Sequence, residues 1–68
     1  MYKYAIVYED TIYGVSADII ECVFQATENM FKRGIFKNGL AGQFMYAMPN
    51  VKPNTLLSDW MVDGNFVE

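Results

Sequence analysis

The sequence predicts an α+β fold: a small antiparallel sheet, in the order strand, helix, strand, strand, packed on one long helix, with a short C-terminal helix. Three observations predict it. Residues 2–9 alternate in period two, residues 17–33 carry an apolar stripe at helical spacing, and Asn38-Gly39 stands between two apolar runs.

Tyr2, Tyr4, Ile6 and Tyr8 share one face of the first segment, and Lys3, Ala5, Val7 and Glu9 the other. Alternation of aromatic and β-branched residues reads as a strand, ending near Glu9-Asp10. The second segment reads as a helix over 17–33. Ser16 is its expected N-cap, and Asp18 complements the positive end of the helix dipole. Ile19, Ile20, Val23, Phe24, Thr27, Met30 and Phe31 form the stripe expected to face the core. Glu28 and Lys32 stand i,i+4 in the favourable order, Lys32 and Arg33 suit the negative end, and Gly34 suits the left-handed position after the helix.

Asn-Gly between apolar runs is a strong hairpin signal. Residues 35–37 are therefore expected to pair with a strand that includes Gln43–Tyr46, with Gly42 marking a bulge; a helix over 40–48 is the competing reading. Pro49 and Pro53 make the next stretch a connector. Leu56, Leu57, Trp60 and Met61 have helical spacing, which favours a short helix capped by Asn54 or Thr55, ended by Gly64 and followed by an extended end. A hairpin turning at Asp63-Gly64 is the alternative.

Sixty-eight residues are read as one small domain, 1–68. A chain this short buries only about 60% of its unfolded surface and leans on a disulfide, a metal or association. Cys22 has no disulfide partner in the chain, and with no histidine a structural zinc site is not expected. The lone thiol suits a reducing compartment, so a cytoplasmic location is expected. No stretch approaches the roughly 20 apolar residues of a membrane helix, so no membrane contact is expected. Eight acids against five bases, a net charge of −3, argue against direct nucleic-acid binding.

The same inventory leaves little room for an enzyme. Ser16 and Ser58 have no histidine to activate them. Cys22 has no neighbour that would favour its thiolate. Tyr13-Gly14-Val15-Ser16 lacks the lysine and extra glycines of a phosphate loop, and Asp18 and Glu21 would repel a phosphate. No catalytic residue, cofactor or metal is expected. What the chain has in surplus is apolar side chains: 53% of it is hydrophobic and 16% aromatic.

That surplus points to a protein contact. Tyr2, Tyr4 and Tyr8 stand either on an outward sheet face, where tyrosine is a favoured contact residue, or on the core face with hydroxyls reaching water. Ala5 and Val7 pack more easily than tyrosines beneath a helix carrying Phe24 and Phe31. Glu9, Asp10, Asp18 and Glu21 would gather into one acidic patch if strand led straight to helix, and would meet a basic partner surface. Otherwise they are a solvated loop and a dipole-complementing first turn. Trp60 is either a C-terminal anchor in the core or an interface hot spot.

In general profile the chain resembles the small acidic inhibitors encoded by phages and mobile elements, such as anti-CRISPR and anti-restriction proteins. The resemblance is one of type; it covers no motif and carries over no residue. The expected function is a non-enzymatic inhibitor or modulator that occludes a surface of a larger, nucleic-acid-handling protein complex. The alternative is a structural or regulatory homodimer.

Overall fold

The computed structural model describes residues 3–47 and 51–62. Four strands form one antiparallel sheet: β1 (Lys3–Tyr8), β2 (Thr11–Ser16), β3 (Gln43–Ala47) and β4 (Thr55–Leu56), in the order β3-β1-β2-β4. A long helix, α1 (Ile19–Lys32), packs on the sheet, and a short helix, α2 (Leu57–Val62), follows β4. This is the expected α+β class. The residues after α2 are not among those described, so the stop at Gly64 and the extended end lie outside them.

The order of elements differs from the expected one, because residues 11–16 form a strand. The first hairpin turns at Glu9 and Asp10, both left-handed at φ 48° and 65°, with Tyr8 opposite Thr11. Two left-handed residues match the twist of flanking strands. Neither is glycine or asparagine, so the usual signature was missing. β2 hid for a second reason. Thr11 to Val15 are all buried, so the strand shows no polar alternation, and Gly14 interrupts it.

Conversely, Asn38-Gly39 is not a hairpin. Asn38 is extended (φ −69°, ψ 145°), and its side chain accepts from the Leu40 N–H to cap a 3-10 turn over Gly39–Ala41. Residues 35–37 form no strand. Gly39 is small because it lies against α1: a Cβ there would sit 2.6 Å from the Val23 carbonyl oxygen. Its N–H donates to Thr27 Oγ1. The expected returning strand is present as β3, but its partner is β1, with Tyr4 opposite Tyr46 and Ile6 opposite Phe44.

Asp18, rather than Ser16, caps α1, accepting from the backbone N–H groups of Ile20 and Glu21. Ser16 is held in β2 opposite Tyr4, and its hydroxyl accepts from the Asp18 N–H instead. The helix stops as expected. Gly34 is left-handed at φ 82°, its N–H reaches the Phe31 carbonyl, and the Ile35 N–H reaches the Met30 carbonyl. Glu28 and Lys32 form the expected i,i+4 ion pair at 3.5 Å.

The helix is rotated from the expected stripe. Cys22, Ala26 and Met30 are buried against the sheet, whereas Phe24 is 70% exposed, Ile20 67% and Phe31 61%. The apolar arc of α1 is wider than one sheet contact, and it is the small-residue side that faces inward. A β-bulge explains how close the helix comes. Ile6 pairs with Gly14 and Val7 with Ile12, leaving Tyr13 as the extra residue. A Cβ on Gly14 would sit 2.4 Å from the Cys22 carbonyl oxygen.

The sheet is covered on both sides. Toward α1, Ile6 and Tyr13 pack with Cys22, Ala26 and Met30, and Tyr4, Tyr8 and Ile35 complete that cluster. On the far side, Ala5, Val7, Ile12 and Val15 pack with Val51 and Trp60.

Candidate functional site

The tyrosine face of β1 turns toward α1. Tyr4 and Tyr8 are half-buried at the margins of the helix, while Ile6 between them is fully covered. The volume objection to this arrangement disappears because α1 presents Cys22 and Ala26, not Phe24 and Phe31, to the sheet. Tyr2 lies outside the described residues. Tyr8 rests beside Tyr13, with Lys37 Nζ 5.5 Å from its ring centroid and the Arg33 guanidinium 5.6 Å from that of Tyr13. Arg33 and Lys37 therefore sit over aromatic faces.

Tyr4 belongs to a different environment. β3 extends the sheet past the edge of α1, so Phe44 and Tyr46, opposite Ile6 and Tyr4, share the helix-side face without being roofed by the helix. Together with Ile19 from the first turn of α1, and Met45, they line an open apolar groove of about 230 Å³. The Tyr4 and Tyr46 rings lie 5.2 Å apart. Tyr46 holds the Tyr4 phenol above its usual pKa, first by a side-chain hydrogen bond and then by charge repulsion. Tyr46 is 66% exposed. No sequence pattern groups Ile19, Phe44 and Tyr46, because the β1–β3 register brings Phe44 and Tyr46 beside Tyr4 and the packing of α1 on the sheet brings Ile19.

The four acids do not form one patch. β2 runs its full length between Glu9-Asp10 and Asp18, and six residues of strand span roughly 20 Å. Glu9 and Asp10 belong to the hairpin turn, where Asp10 Oδ2 accepts from Ser58 Oγ at 3.0 Å and the Asp10 carbonyl accepts from the Leu57 N–H. They border a second cleft, lined by Val7, Tyr8, Ala41, Gln43 and Leu57. Asp18 and Glu21 are both exposed at the start of α1; Asp18 adjoins the groove residue Ile19, whereas Glu21 lies about 200° round the helix from it, away from the groove. The hairpin places β2 where a direct strand-to-helix loop had been expected, and it thereby separates the acids. Trp60 is only 5% exposed and packs against the far side of the sheet. Of its two readings, the packing favours the core anchor.

Cys22 is fully buried, its thiol donates to the Tyr4 carbonyl at 3.4 Å, and burial pushes its pKa up, away from the thiolate. Among the described residues no three His, Cys, Asp or Glu side chains group as metal ligands, and no helix is long and apolar enough to cross a membrane. Comparison with known proteins finds no match to the chain among family models, curated proteins or solved structures.

Proposed function

We propose that the chain is a non-enzymatic protein-binding module that inhibits or modulates a larger protein, with the groove of Tyr4, Ile19, Phe44 and Tyr46 as its contact. The observation that carries this reading is an open apolar groove with aromatic walls, with the exposed Asp18 next in the chain to its lining residue Ile19. Aromatic side chains in a groove supply most of the binding energy at such contacts. The exposed Asp18, next to Ile19, would meet Lys or Arg on the partner and steer its approach. A basic partner surface is one that handles an anionic ligand, so occlusion of a nucleic-acid-handling complex, in the manner of anti-CRISPR or anti-restriction proteins, is the function these features suit. A buried lone thiol suits a cytoplasmic setting.

The test is capture of a partner from a lysate of the expressing cells, followed by binding kinetics on the purified pair. Tyr46→Ser and Phe44→Ser should speed dissociation at least tenfold. Asp18→Asn keeps a capping side chain at residue 18 and should slow association while flattening its salt dependence. Groove variants that fold by circular dichroism and still dissociate at the wild-type rate would remove this surface from consideration.

A further inference from the structure

We infer that the outer face of α1 is a seam between two copies of this chain, packed antiparallel about a two-fold axis. The inference goes beyond the partner-binding reading and uses a different surface. At 100° per residue, Ile20, Phe24 and Phe31 fall within about 40° of arc on the exposed side of α1, and Thr27, half-buried against the 3-10 turn, lies at the margin of that arc. Their spacing of four, three and four residues is that of a helix–helix seam.

The exposed apolar surface is large for so small a chain. Ile20, Phe24 and Phe31 are joined by Leu40 and by Phe36, whose ring meets Phe31 edge-on at 4.9 Å. Together these five side chains expose on the order of 600 Å² of apolar surface, against the roughly 800 Å² per partner, polar rim included, of a standard stable interface. Scattered apolar residues on a surface need no explanation, but about 600 Å² is at the upper end of the largest apolar patches of ordinary monomers, and patches of that size are often functional.

Three features choose a second copy as the occupant. The seam is self-complementary in shape: antiparallel pairing sets Ile20 against Phe31 of the second copy and Phe24 against the smaller Thr27. Thr27 brings no unsatisfied hydroxyl to the centre, because its Oγ1 donates to the Val23 carbonyl and accepts from the Gly39 N–H. The flank is self-complementary in charge. Glu21 and Lys32 lie on one side of the helix near its opposite ends, so antiparallel pairing brings each Glu21 to Lys32 of the other copy and aligns the two helix dipoles favourably. A bilayer is a poor occupant by the same observation, since the flank carries Glu21 and Glu28 where an interfacial helix carries Lys and Arg.

Sedimentation velocity of the purified chain from 1 to 200 µM tests this, the range being chosen about a micromolar dissociation constant. The wild type should sediment as a dimer in the upper part of the range. Phe24→Glu and, separately, Ile20→Ser should weaken dimerisation at least tenfold with unchanged circular dichroism. Glu21→Lys and Lys32→Glu should each weaken it, and the double exchange should restore it, because only antiparallel pairing returns opposite charges to each other. A wild type that is monomeric throughout overturns the inference. So does a dimer that survives Phe24→Glu and Ile20→Ser in folded protein, or a double exchange weaker than either single one. None of these readouts involves the groove or a captured partner, so the two readings fail separately.

Discussion

Ala26 contributes one methyl group, and the position of α1 depends on its being so small. With Gly14 and Gly39 it lets the helix backbone approach the sheet and the 3-10 turn more closely than larger residues allow. Gly14→Ala should therefore cost about 1–3 kcal/mol, since the new methyl meets the Cys22 carbonyl, a backbone atom that cannot swing away. Phe24→Ser, by contrast, should change monomer stability by no more than about 0.5 kcal/mol, where a core phenylalanine would cost about 3–5 kcal/mol. Urea unfolding below the dimerising concentration, with both variants beside the wild type, checks the pair; a costly Phe24→Ser would put the ring back in the core. Cys22 gives a pH signature. Its thiol pKa is raised in the folded protein, so the protonated form is the one that folding favours. That stability is complete below the ordinary thiol pKa of about 8.5 and is lost as pH rises through it toward the folded value. The urea midpoint should fall between pH 8 and 9.5 in the wild type and stay level in Cys22→Ala; equal slopes would show that the thiol does not report on folding. The Tyr4 phenol shifts in the same direction and acts only at higher pH.

At the scale of elements, the division of labour between Ser16 and Asp18 is decisive. Asp18 satisfies two first-turn N–H groups of α1, whereas Ser16 accepts a single N–H in the connecting turn. Asp18→Ala should cost about 1 kcal/mol, and Ser16→Ala clearly less. Thermal melts of both variants measure this, and the reverse order would restore Ser16 as the cap. The helix also protects the sheet. β4 pairs with β2 only at Thr11 and Ile12, so among the described residues no strand neighbours the rest of that edge. The Asn29 side chain donates to the Tyr13 carbonyl, and the Gln25 side chain accepts from the Val15 N–H at 2.6 Å. Two amides on one helix face thus cover an edge that could otherwise recruit another strand.

At the scale of the whole molecule, the sheet is a middle layer. α1 lies on one side, and the segment from Val51 to Trp60 lies on the other. The second layer is tied down by β4, by the Asn54 N–H donating to the Ile12 carbonyl and by Leu57 donating to the Asp10 carbonyl. Trp60 is its largest buried group. Trp60→Ala should cost about 3–5 kcal/mol, most of the roughly 5 kcal/mol expected of so small a chain, and should leave the protein largely unfolded at 37 °C. A cooperative melt within a few degrees of the wild type would mean that the C-terminal layer is dispensable.

What could be read from the chain alone was whatever neighbouring residues settle among themselves. The first strand, the presence of α1, its Gly34 stop, the Glu28–Lys32 pair and the short last helix all follow from local pattern and capping chemistry, and so does the α+β class. Contacts between residues distant in the chain settled the rest. Gly39 reads as a turn glycine until α1 is seen pressing on it. Phe24 reads as core until Gly14 and Ala26 bring the small-residue side of the helix inward. β2, buried on both faces, shows no alternation by which to recognise it. The groove needs the register of β1 on β3, and the separation of the acids needs a hairpin whose turn residues carry no usual signature. Apolar periodicity tells which side of a helix is sticky, but only close packing decides which part of that side is buried and which is left exposed.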